Sequence, residues 1–80
     1  MNTSLVVVNS FDAQKESIEE ILEDHRVYAE MLEVDRLNKD EREEYLVCFD
    51  ELYQSRKLPL IFIDDTLVAS NSNELLKHFQ

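Results

Sequence analysis

The chain has 80 residues, with one cysteine, one proline, no glycine, and 18 acidic against 8 basic side chains for a net charge of −10. That length implies a single domain over residues 1–80, burying about 60–65% of its unfolded surface, and the acidic excess argues against direct nucleic-acid binding, which needs a basic footprint, and against an anionic membrane surface. No window reaches the length of a membrane span, Met1-Asn2-Thr3-Ser4 carries no basic signal-peptide region, and a lone cysteine cannot close an intramolecular disulfide, so a reducing cytoplasm is the expected location.

Leu5-Val6-Val7-Val8 is a continuous apolar run, as in a strand covered on both faces. Asn9-Ser10-Phe11-Asp12 turns out of it, and Ser10 or Asp12 can cap the helix that follows. That helix is expected over 13–24, with Ile18, Ile21 and Leu22 as its buried stripe and Glu16, Glu19, Glu20, Glu23 and Asp24 outside. A second strand is expected over 27–34. Its alternation is imperfect, and the assignment rests mainly on the need of the first strand for a partner. Asp35 to Asn38 reads as a loop. A second helix follows over 39–55, with Tyr45, Cys48, Phe49, Leu52 and Tyr53 on one face and Arg56-Lys57 at its carbonyl end.

Leu60 to Ile63 is an apolar run rich in β-branched and aromatic residues, as expected of a buried strand. Pro59 cannot donate to a sheet ladder and belongs at the strand entrance. A cis, groove-lining role for it is equally open. Asp64-Asp65 is a two-residue turn into a returning strand, Thr66-Leu67-Val68. Asn71 followed by Glu74 fits a helix-start box, with Ser72 an equally good cap. Leu75, Leu76 and Phe79 then form one stripe of a third helix. With no glycine, the turns fall to Asn, Asp and Ser. The order β-α-β-α-β-β-α, with a parallel first pair and a final hairpin, is best satisfied as an α/β fold: a four-stranded mixed sheet with helices on both faces.

Over nearly its whole length the chain resembles a glutaredoxin, a member of the thioredoxin-fold superfamily. The family's closing pattern is approximately Thr-Val-Pro-x-x-Phe-Ile-(Asn/Asp)-Gly, a short strand, then Gly-Gly-x-(Asp)-(Asp/Glu)-Leu. It is similar to Lys57-Leu58-Pro59-Leu60-Ile61-Phe62-Ile63-Asp64-Asp65 followed by Leu67-Val68-Ala69-Ser70-Asn71-Ser72-Asn73-Glu74-Leu75. Arg26 to Val34 resembles the family's second strand. The family's redox site, Cys-Pro-Tyr-Cys or a sequence keeping the first cysteine, aligns with Asp12-Ala13-Gln14-Lys15. Asp12 and Lys15 thus stand where the resemblance implies the cysteine pair. The basic residue preceding the pair falls near Asn9 or Ser10, and the Gly-Gly that lets glutathione approach becomes Ala69-Ser70. These departures put glutathione binding in doubt. The only cysteine is Cys48, and a carboxylate cannot perform thiol–disulfide exchange.

Asp12 itself reads first as a helix cap and Lys15 as a solvated residue. Cys48 reads as a buried, inert thiol. His25 and His78 suit helix-end stabilisation better than metal binding, and Asp64-Asp65 without further ligands is weak evidence for a cation. No catalytic residues, metal ligands or cofactor emerge. Residues 12–51 hold 15 acids and 5 bases and so carry the whole net charge of −10. On helices covering both sheet faces, this acidity should be two-sided. Its simplest reading is a solvated surface.

Three functions compete. One is a non-catalytic glutaredoxin-like protein that binds a partner protein through the old substrate groove, at Phe11, Asp12, Leu58, Pro59, Ser70 and Asn71. Another is an acidic mimic of nucleic acid that occupies a basic protein. The third is a thiol–disulfide oxidoreductase working through Cys48.

Overall fold

The structure, a computed structural model, describes residues 4–53 and 58–80. Its elements are β1 (Leu5–Val8), α1 (Lys15–Asp24), β2 (Glu30–Glu33), a 3-10 turn (Val34–Arg36), α2 (Lys39–Tyr53), β3 (Leu60–Ile63), β4 (Thr66–Ala69) and α3 (Ser72–His78). The four strands form one mixed sheet in the order β2-β1-β3-β4. β2 runs parallel to β1, from Leu5 opposite Glu30 to Val8 opposite Glu33. β3 is antiparallel to β1, with Val7 opposite Leu60. β4 returns antiparallel to β3, with a register shift between Ile61 and Phe62.

The continuous apolar run of β1 is buried on both sides, as a central strand requires. Val6 and Val8 join Ile18, Leu22, Ile61, Ala69 and Leu75 in one cluster, on the side where α1 and α3 lie. Val7 points the other way, into a cluster with Val34, Leu60 and Phe62.

Several expectations are corrected here. β2 is half the expected length. Val27 and Ala29 are half-buried against the first cluster without belonging to a strand, and Val34 is buried in the 3-10 turn. A loop packed on a core produces the same apolar pattern as a strand. Helix α1 starts two residues late, at Lys15. Ile21 is only partly buried, and Leu76 is 46% exposed while its neighbour Leu75 is fully buried.

The stripe expected on α2 departs from expectation at two of its described positions. Tyr45 and Cys48 are exposed, whereas Arg42 and Leu46 are half-buried. This helix alternates charged and apolar residues with little preference for one face, so its sequence does not fix which side packs. The side chains of Phe49, Leu52 and Tyr53, and the helix end expected at Ser55 to Lys57, lie outside the described residues. Among the described residues, no helix is long and apolar enough to cross a membrane.

The glycine-free turns use two devices. Asp64 and Asp65 both take positive φ, 52° and 64°, as a hairpin turn matched to strand twist demands. At the end of α1 the left-handed position is filled by Arg26, at φ 57°. The N–H of Arg26 bonds the carbonyl of Glu23, and that of Val27 the carbonyl of Leu22. This is a Schellman closure made without the usual glycine, and it adds an arginine to the Asn, Asp and Ser expected at the turns. His25 completes the helix end, its Nδ1 2.8 Å from the carbonyl oxygen of Ile21. Its ring also stacks on Phe79 of the chain terminus at a centroid distance of 4.1 Å.

Candidate functional site

The candidate groove lies where β1 and β2 end. The β1–β3 register pairs Val7 with Leu60, so the next positions carry Val8 and Asn9 toward Pro59 and Leu58. The Leu58–Pro59 peptide bond is cis, one of the two geometries left open by the sequence. Pro59 is itself fully buried. It therefore offers no surface of its own, while Leu58 remains half-buried beside it. Phe11, at the tip of the β1–α1 turn, is 78% exposed.

Asp12 ties this turn to α1. Its Oδ1 accepts the Gln14 N–H at 2.8 Å, while the residue at the N-cap position, Gln14, makes no capping bond to its own helix. The Gln14 side chain turns to α3 instead. Its Oε1 accepts the backbone N–H of Ser72 at 2.8 Å, bridging the amino ends of α1 and α3. The bond places the start of α3 beside the start of α1.

The amino end of α3 is closed by its own side chains. Asn71 Oδ1 accepts the Glu74 N–H at 2.8 Å, as the helix-start box predicts. Glu74 Oε1 in turn accepts the Ser70 hydroxyl at 2.6 Å and Asn71 Nδ2 at 2.9 Å.

Ser10 does not cap α1. Its N–H donates to Asp35 Oδ1 at 2.8 Å, and its hydroxyl donates to Asp35 Oδ2. The Ser10 hydroxyl and then the Ser10 N–H hold the Asp35 carboxyl below the usual carboxylate range. Both bonds favour the ionised form. A carboxyl depressed on folding stabilises the protein above its unfolded pKa and loses that effect as pH falls through the folded one. The melting temperature of the wild type should therefore exceed that of Asp35→Asn by a constant margin above pH ~4. The margin should shrink as acid is added below that. A margin independent of pH would show that the bonds to Ser10 do not distinguish the two protonation states.

Lys15 is not the solvated residue expected. It is partly buried, and its Nζ lies 3.3 Å from Glu33 Oε2 and 4.0 Å from Glu19 Oε1. Arg36 Nε approaches the same Glu33 oxygen at 3.4 Å. Cys48 is exposed on α2, contrary to the buried thiol expected, whereas Arg42 and Leu46 of the same helix are half-buried. The cysteine sits in the middle of its helix, away from any free helical N–H groups.

Gln14, Glu33 and Asp35 were not singled out by sequence reasoning. Their bonds join residues 58, 18 and 25 positions apart, and no local pattern announces such pairs. A cleft of about 490 Å³ lies elsewhere, between the outer side of α1 and the approach to β2, lined by Leu22, Arg26, Tyr28 and Met31 among others. It contains none of the groove residues.

No protein-family model matches the sequence, and no curated protein matches it. The fold does have clear counterparts among solved structures. Glutaredoxin C1 from Populus tremula x tremuloides superposes with a TM-score of 0.80 over 96% of this chain and 73% of its own, at 12% identity. A glutaredoxin from Archaeoglobus fulgidus gives 0.78 over 100% and 88%, at 21% identity. Methanoredoxin from Methanosarcina acetivorans gives 0.75 over 96% and 79%, at 18% identity. The fold is that of the glutaredoxins, as the sequence pattern implied. Identities this low speak for the fold alone. The chain has one cysteine and so no cysteine pair.

Proposed function

We propose that this protein is a non-catalytic binder with a glutaredoxin fold, holding an extended segment of a partner protein in the groove between Phe11, Leu58 and Ser70-Asn71. One observation carries the reading. Gln14 ties the amino ends of α1 and α3 together, which supports a contact region kept there, while Asp12 aligns with the position where exchange chemistry would need a thiolate. The exposed Phe11 ring gives a partner an apolar anchor at the rim.

The oxidoreductase alternative now depends on position alone. Cys48 is accessible, but a mid-helix cysteine has no free N–H groups to stabilise a thiolate. Glutathione-coupled reduction of a small disulfide should run no faster with the protein than without it. Turnover that survives Cys48→Ser would overturn the proposal.

Partner capture from the native host, at low salt and again near ~1 M, separates groove binding from charge mimicry, since the Debye length falls to about 3 Å at the higher value. A groove partner should stay bound in salt and be lost with Phe11→Ala. A partner released by salt and indifferent to Phe11→Ala would favour the acidic mimic.

A further inference from the structure

The end of the sheet opposite the groove carries two adjoining cavities. The larger is the cleft of about 490 Å³ between α1 and β2, with Leu22, Val27, Ala29 and Met31 as its apolar lining and Glu19 and Glu23 on its α1 side. The smaller, of about 220 Å³, is lined by Ser4, Ile63 and Asp64. Arg26, Val27 and Tyr28 line both. The strand pairing explains the meeting. Leu5 lies opposite Phe62, so Ser4 comes beside Ile63 and Asp64, and the Glu30 N–H donates to the Ser4 carbonyl at 3.0 Å, drawing in the start of β2.

The polar groups of this site lack partners of their own. Ser4 is only 7% exposed, and its hydroxyl has no hydrogen-bond partner among the described residues. No fully enclosed side-chain polar atom is left unpaired among those residues, so this hydroxyl opens on the cavity. A polar group at that depth normally finds a partner. Arg26 and Asp64 line the same small cavity, yet neither forms an ion pair with the other or with any described residue. Tyr28 is 93% exposed, so its ring stands almost clear of the protein.

We infer that the two cavities form one site for a small zwitterion with an apolar body, a free apolar α-amino acid. Its carboxylate goes to Arg26, its ammonium to Asp64 and the Ser4 hydroxyl oxygen, and its side chain to Leu22, Val27 and Met31. The Tyr28 ring supplies apolar cover with a polar tip. A cation and an anion held apart in one cavity suit opposite charges on one small molecule. An apolar cleft with a few convergent polar groups is the usual form of such a site. Glu19 and Glu23 turn away an acidic side chain. The site shares no residue with the groove, so the inference is independent of the function proposed above.

The test is an amide-shift titration of the isotope-labelled full chain. L-Phenylalanine should shift the amides of Ser4, Val27, Tyr28 and Asp64, with a Kd of about 1 mM or below. N-acetyl-L-phenylalanine, L-phenylalaninamide and L-glutamate should each bind at least about tenfold more weakly. Ser4→Ala removes only the unpaired hydroxyl. It should weaken L-phenylalanine about fivefold and leave the melting temperature of the free protein unchanged or higher. Asp64→Asn, a residue that tolerates the positive φ of the turn, should weaken L-phenylalanine about tenfold. The inference is overturned by an absence of shifts at about 10 mM, by shifts confined to Ser10, Phe11, Ser70 and Asn71, or by either blocked derivative binding as well as L-phenylalanine. A Ser4→Ala protein that melts lower and binds as well as the wild type overturns it too, since the hydroxyl would then serve the fold and not a ligand.

Discussion

Replacing Ile61 by alanine should cost about 3 kcal/mol of stability and lower the melting temperature by more than roughly 10 °C. Ile61 is completely buried and sits opposite Val6 on one neighbouring strand and Ala69 on the other. Its side chain belongs to the cluster of Ile18, Leu22 and Leu75 beneath α1 and α3. Truncation leaves a cavity that a close-packed interior relaxes to fill only in part. A domain of this size has about 4–12 kcal/mol in total, so the loss is a large fraction of it. Leu76→Ala, at a position nearly half exposed, should stay within about 0.5 kcal/mol. Urea unfolding of both variants measures the contrast. An Ile61→Ala cost under about 1 kcal/mol would mean that the sheet and the helices above it are not packed as described.

That pair of positions also marks how far the sequence could be read. The strands of the sheet were legible because Leu5 to Val8 and Leu60 to Ile63 are short, apolar and β-branched, and because Asp64-Asp65 admits only a tight turn. The start of α3 was legible because its cap is local: Asn71 and Glu74 are three residues apart and bond each other. Leu76 was misread beside Leu75 because adjacent apolar residues on a short helix do not say which of them faces the core.

Elsewhere the governing interactions were not local. Val27 and Ala29 are apolar because they close over α1 as a loop, not because they pair in a sheet. α2 has no strong apolar face of its own, so its sequence does not say which side packs. In the candidate site the local cap at Asn71 was legible, but the polar linkages between distant segments were not. Asp12 was singled out, while its partner Gln14 was not. Its significance comes from a bond to Ser72, reached only once α1 and α3 are side by side.

A thiol introduced by Asp12→Cys, in a Cys48→Ser background, should ionise roughly one unit below the free-cysteine value of about 8.5. At neutral pH that means about eightfold more thiolate than in an unfolded peptide, readable from the pH dependence of alkylation. The reason is the position, which the Asp12 side chain occupies now. Its Oδ1 takes the Gln14 N–H at 2.8 Å, at the threshold of α1. A thiolate there inherits that donor and the positive end of the α1 dipole. Two features oppose the shift: Lys15 is held by Glu33 and Glu19, and Asp35 and Glu74 add negative charge to the rim. Because those carboxylates are each bonded to donors of the loops, their effect on a neighbour is blunted, and the direct N–H contact should prevail. A measured value above about 8.5 would put the two effects in the opposite order. The rim charge would then outweigh the helix, and the whole site, not the cysteine position alone, would have been rebuilt against sulfur chemistry.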